Sequence, residues 1–90
     1  MTDRVGPVLE VGTVAQAITT AIRELNRDVE IRDRGAYVRV LVTARCRVTR
    51  EAIERALGAA FRLPGDLELV MPSFKGRFSV TEDEAVWEAR

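Results

Sequence analysis

The stretch VEIRDRGAYVRVLVTA, residues 29–44, decides how this chain folds. Polar and apolar residues alternate on both sides of Arg34-Gly35. Val29 and Ile31 share one face of the first run, and Val38, Val40 and Val42 share one face of the second. Side chains of a strand point to its two faces in turn, so period-two alternation predicts two half-buried strands. Arg34-Gly35 stands where a tight turn is needed, which makes a β-hairpin the expected unit. Tyr37, Arg39, Leu41 and Thr43 form the opposite, mixed face of its second strand.

Working outward, TVAQAITTAIRELN precedes the hairpin. Val14, Ala17, Ile18, Ala21, Ile22 and Leu25 recur at helical spacing and predict an amphipathic helix over 14–26, closed by Asn26. Thr13 and Gln16 match a capping box. Before it, Val5 to Val11 is apolar but contains Pro7, which suits an edge strand or an extended arm.

After the hairpin, TREAIERALGAAF predicts a second helix opened by Thr49, with Glu51 in the dipole-favoured first turn and a Glu51–Arg55 pair. Ile53, Ala56, Leu57 and Ala60 are its expected buried side, and Gly58 or Pro64-Gly65 its end. DLELVM (66–71) alternates as a strand, and RFSVTEDEAVWEA (77–89) reads as two short strands around Glu82-Asp83-Glu84. Phe61, Phe78 and Trp87 are expected in the core. The expected fold is α+β, one domain over 1–90 with a flexible 1–4. Two helices pack on antiparallel β-sheet in the order β-α-β-β-α-β-β-β.

Composition narrows function by exclusion. Fourteen basic residues balance fourteen acidic ones, so no phosphate-neutralising excess marks a nucleic-acid binder. With no histidine, an imidazole base, a Ser-His-Asp triad and a histidine metal ligand are all absent. One cysteine, Cys46, excludes an internal disulfide and a cysteine-ligated cluster, and a reducing cytoplasm is the expected compartment. No apolar run approaches membrane-spanning length. Neither GxGxxG nor GxxxxGK[ST] occurs. The carboxylate runs Glu82-Asp83-Glu84 and Glu51/Glu54 fall on a turn and a solvated helix face. The chain reads as a binding protein rather than an enzyme.

MPSFKGRF (71–78) is the most informative run for binding. Its Lys-Gly-Arg-Phe core invites comparison with an RNA-recognition strand, but it lies late in the chain and lacks the second small residue and aromatic spacing of that signature. Gly76 permits a bend, Phe74 is the kind of aromatic that anchors interfaces, and Lys75 and Arg77 suit a charged rim. These residues leave Phe74 open between core and interface.

Four strings together carry a resemblance: VGPVL (5–9), DRGAYVRV (33–40), the spacing of Leu57, Gly58 and Phe61, and LELVMPSFKGRFSVTEDE (67–84). In this order the chain resembles the effector (regulatory, coupling) proteins of soluble bacterial diiron multicomponent monooxygenases, with most likeness to those of toluene and alkene monooxygenases. The connection Leu63-Pro64-Gly65-Asp66 departs from that pattern by about a residue. The resemblance implies a protein without metal or organic cofactor, monomeric when free, with neither nucleic acid nor membrane as a partner. It implies docking on the hydroxylase subunit that houses the diiron centre, where it couples O2 activation and electron delivery to oxidation of an aromatic hydrocarbon or alkene. It places Pro72, Ser73, Phe74, Lys75, Gly76 and Arg77 on the hydroxylase-facing surface. Val5, Gly6 and Pro7, and the hairpin residues Arg34, Tyr37 and Arg39, are further candidates. The rival readings are a ferredoxin-like small-molecule sensor and an RNA-binding module.

Overall fold

The computed structural model describes residues 3–90. The hairpin forms as expected. Strand β2 (Glu30–Asp33) pairs antiparallel with β3 (Tyr37–Thr43), with Arg32 opposite Arg39 and Ile31 opposite Val40. Gly35 takes φ 80°, the left-handed conformation that favours glycine. Asp33 Oδ1 accepts the Gly35 N–H at 2.8 Å, and the Arg34 N–H donates to the Tyr37 carbonyl at 2.8 Å. Val40 and Val42 go to the core.

Strand β1 (Arg4–Glu10) overturns the edge-or-arm expectation. It lies inside a four-stranded sheet of order β2-β3-β1-β5, where β5 is Ser73–Lys75. Pro7 is accommodated because pairing with β3 is interrupted there: Arg4 and Val5 face Thr43 and Val42, and pairs resume at Val8–Arg39 in the same register. At Gly6, φ is 150° and a Cβ would fall 2.0 Å from the Val40 carbonyl oxygen, so only glycine fits. The strand is also tied down earlier than the expected flexible 1–4. Arg4 belongs to β1, its Nε lies 3.0 Å from Glu30, and the Asp3 carbonyl accepts the Ala44 N–H at 2.8 Å. Residues 1–2 lie outside the described part.

A second sheet has the order β4-β7-β6, from β4 (Arg45–Thr49), β6 (Arg77–Val80) and β7 (Glu84–Glu88). The expected hairpin around Glu82-Asp83-Glu84 is present as β6–β7. Strand β4 is an element beyond the expected order: only Ala44, at φ 68°, separates it from β3, so no turn signal marks its start.

The strand expected over DLELVM is instead a helical turn, α3 (Gly65–Glu68), followed by a tight bend. Asp66 Oδ2 accepts the Arg62 N–H at 2.8 Å, and Pro64-Gly65 supplies turn chemistry that overrides a six-residue alternation. Leu67 is buried while Leu69 is 76% exposed. The class is therefore α+β with antiparallel sheets, and the order is β-α-β-β-β-α-α-β-β-β.

Helix α1 (Thr13–Leu25) begins one residue early. Gly12, not Thr13, is the N-cap, and no side chain caps the turn, so the capping box does not form. Ala15, Ala17, Ile18, Ala21 and Ile22 are its buried face. Asn26 closes it and does more: Nδ2 donates to the carbonyls of Ile22 (2.7 Å) and Arg47 (2.8 Å), while Oδ1 accepts the Arg47 N–H (3.1 Å). One amide thus caps the helix and mimics a strand partner for the edge of β4.

Helix α2 (Arg50–Leu57) is capped by Thr49 Oγ1, which accepts the Ala52 N–H at 3.1 Å, and ends at Gly58 with φ 75°. The Glu51–Arg55 pair forms at 3.0 Å. Its buried residues are Ala52 and Ile53; Ala56 and Ala60 are exposed, contrary to expectation, because this short helix leans its Ala52 side on α1 and β4. Phe61 and Trp87 are buried and Phe78 packs against one shared hydrophobic cluster.

Candidate protein-docking surface

Register sorts the candidates by face. Directly opposite residues in a sheet project to the same side. Arg32, Arg39, Val8 and Ser73 therefore form one row across β2-β3-β1-β5. Two residues along, Glu30, Leu41 and Lys75 share that side, with Gly6 beneath; in the other direction come Tyr37 and Glu10. The alternate residues Val5, Leu9, Val40 and Val42 join Ile18 and Ile22 of α1 in the core. Helix α1 thus lies on the inner side and leaves the outer side open. Tyr37, Arg39, Ser73 and Lys75, named separately from the sequence, meet on that open face, and all four are exposed. Arg32, Glu10 and the half-buried Val8 complete it, while Leu41, on the same side by register, is buried. Their alternation with Val29/Ile31 and Val38/Val40 was the available signal, but which strand stands beside β3 was not.

The loop residues behave differently from one another. Pro72 is exposed, and Phe74 points to the core side of the sheet at its edge. The Phe74 ring stacks on Phe78 at 5.2 Å, and Phe78 on the buried Trp87 at 5.2 Å. Phe74 remains 43% exposed, so it is the solvent end of an aromatic column that begins in the core. Gly76 has φ 108°, and a Cβ there would meet the Glu88 carbonyl oxygen at 2.7 Å and Val5 Cγ1 at 2.8 Å. It is a packing glycine that lets β5 cross to β6. Arg77 belongs to the second sheet, opposite Glu88, apart from the open face.

Val5 and Pro7 are buried on the inner side, and Gly6 presents no side chain. These three support the surface rather than form it, because β1 is central. Arg34 is exposed at the hairpin tip.

Charge on the open face is organised around Glu30. Its carboxylate bonds Arg32 and lies 3.0 Å from Arg4 Nε, and the Arg32 hydrogen bond holds its pKa below the usual carboxylate value. Cys46 lies elsewhere, in the core opposite Trp87, where burial pushes its thiol up to about 12. It is therefore a neutral packing group, despite Arg45 and Arg47 on either side.

A groove of about 580 Å3 separates α1 from the hairpin, lined by Val11, Ala15, Thr19, Ile31 and Val38 among others. Among the described residues, no group of three or more His, Cys, Asp or Glu is arranged to hold a metal ion. No described helix is long and apolar enough to cross a membrane.

This architecture and sequence have relatives. The chain is 42% identical over 85 residues to the alkene monooxygenase system effector subunit of Xanthobacter autotrophicus (strain ATCC BAA-1158 / Py2), an alignment covering 92% of this chain and 83% of that protein. Its fold matches chains from two solved structures of a phenol hydroxylase–regulatory protein complex. The first has TM-score 0.86 and 22% identity, covering 98% of this chain and all of the other. The second has TM-score 0.80 and 22% identity, covering 96% and 99%. The MmoB/DmpM family model matches residues 3–88, and the chain belongs to the MmoB/DmpM family.

Proposed function

We propose that this chain is the non-catalytic effector component of a multicomponent monooxygenase. It binds the diiron hydroxylase and couples O2 activation and electron delivery to oxidation of an alkene or aromatic hydrocarbon. The observation that carries this reading is the 42% identity, across nearly the whole chain, to an alkene monooxygenase effector subunit. The residues agree with it: no histidine and a single buried cysteine leave no conventional catalytic set of their own. In this reading the protein works in the cytoplasm, is monomeric when free, and needs no cofactor or nucleic acid.

The docking surface is the open sheet face with Tyr37, Arg39, Ser73 and Lys75, extended by Pro72 and Phe74 at one edge and Arg34 at the hairpin tip. Arg77 and Gly76 position the crossing to the second sheet. The mechanism is population shift: the effector favours the hydroxylase conformation it binds better, and its influence is bounded by that difference in affinity.

The test is reconstitution. Adding this protein to its cognate hydroxylase, reductase and electron carrier should raise product formed per NADH consumed, to saturation. Unchanged turnover and coupling across a full titration would refute the reading. The groove beside α1 favours a second reading, a small-molecule sensor. A ligand-dependent thermal shift of the isolated protein would support that instead.

A further inference from the structure

We infer that the open face of the four-stranded sheet recognises an acidic protein surface, so that docking is steered and held by carboxylates on the partner. This rests on the effector reading above and specifies the chemistry of the partner's side. By register the face carries Arg4, Arg32, Arg39 and Lys75 against only Glu10 and Glu30, in a chain whose net charge is zero. Glu30 is shared between Arg4 and Arg32 and so neutralises one of the two. Among the described residues, Arg39 and Lys75 have no side-chain ion pair or hydrogen bond.

Arg39 stands directly opposite Arg32, a like-charge cross-strand pair that costs stability in the free protein. Several arginines elsewhere are matched, Arg47 with Glu84, Arg50 with Glu54 and Asp83, Arg55 with Glu51 and Glu24, while Arg23, Arg27, Arg34 and Arg77 are unpaired among the described residues; in no other strand pair does one arginine face another. A like-charge pair facing across two strands is relieved by an anion supplied from outside.

The geometry suits a protein partner. Strands about 4.8 Å apart spread the row from Arg32 to Ser73 over about 14 Å. Between and beside the cations lie Tyr37, 42% exposed, and the half-buried apolar Val8, with Leu41 buried beneath them. Tyr and Arg around an apolar centre are the composition of protein interface anchors. A nucleic acid would want more than one stacking aromatic on the face and an overall basic charge.

The experiment measures the effector concentration giving half-maximal hydroxylase stimulation at low and high salt. For the native protein it should rise about tenfold or more between about 20 and 300 mM salt, as screened charge pairs require. Arg39→Glu with Lys75→Glu should raise it about tenfold or more at low salt and flatten the salt dependence. Arg62→Glu, on the α2–α3 connection away from this face, should leave it within about twofold. Should the double reversal fail to fold by circular dichroism, Arg39→Gln with Lys75→Gln gives the same reading with a smaller shift.

Native stimulation with unaltered half-saturation in the double variants overturns this inference and leaves the effector reading standing. Absence of native stimulation at any concentration overturns both. Salt-sensitive retention on single-stranded RNA, abolished by the same substitutions, assigns the face to a different partner and also overturns it.

Discussion

Phe74→Ala separates what the aromatic column contributes to stability from what it contributes to docking. Truncating a fully buried Phe costs about 3–5 kcal/mol. Phe74 is 43% exposed, so about half of that burial is at stake. Its stack on Phe78 at 5.2 Å is of the kind worth about 0.5–1.5 kcal/mol. Together these place the cost near 2 kcal/mol, with the pair contribution largely inside that figure.

For a domain of this size each kcal/mol moves Tm by roughly 4–8 °C, so a fall of about 8–16 °C is expected. Urea denaturation followed by far-UV circular dichroism gives the free energy, and Trp87 fluorescence reports the inner end of the column. At a temperature where the variant is fully folded, its half-saturating concentration for hydroxylase stimulation should still rise. A loss above about 3 kcal/mol would show that Phe74 is buried as core, against the geometry. A loss below about 0.5 kcal/mol would show that the stack with Phe78 carries nothing.

Asn26→Ala removes three hydrogen bonds and strands the N–H and carbonyl of Arg47. About 2–3 kcal/mol of stability should be lost in urea denaturation, and a loss below about 0.5 would disprove the clamp. Gly76→Ala places a Cβ 2.7 Å from the Glu88 carbonyl at φ 108°, and should cost at least about 2 kcal/mol, making it a fold variant rather than a docking probe. A native-like melting curve would contradict the packing.

The buried Cys46 binds its proton more tightly folded than unfolded. Its contribution is therefore intact below about pH 9 and lost as pH rises toward about 12, at up to about 1.4 kcal/mol per pH unit. Relative to Cys46→Ala, the native protein should lose stability faster over that range. Parallel pH profiles would refute the assignment.

The parts legible in the sequence were those with local chemistry. Arg34-Gly35 between alternating runs gave the β2–β3 hairpin, Thr49 gave the α2 cap, and the acidic turn gave β6–β7. What escaped depended on distant partners. Pro7 argues locally against a central strand, yet β1 is central because pairing lapses beside Gly6 and Pro7 while β5 closes the other side. DLELVM alternates, but Pro64-Gly65 and the Asp66 carboxylate bend it into a helical turn. Strand β4 follows β3 after one residue and carries no turn signal.

Each candidate residue is legible singly in the sequence, and only strand register shows which of them share a face. Tyr37, Arg39, Ser73 and Lys75 share the open face, Val5 and Pro7 lie beneath it, and Phe74 turns back toward Phe78. The unpartnered state of Arg39 was invisible without knowing that Arg32 faces it.

Hydroxyl-radical footprinting of this protein with and without its hydroxylase tests the central claim most directly. Tyr37 and Phe74 are exposed enough to be oxidised in the free protein, as are Leu25 and Leu69 elsewhere on the surface. Saturating hydroxylase should protect Tyr37 and Phe74 and leave Leu25 reactive. Protection of Leu25 with Tyr37 and Phe74 unchanged would contradict docking through the open sheet face.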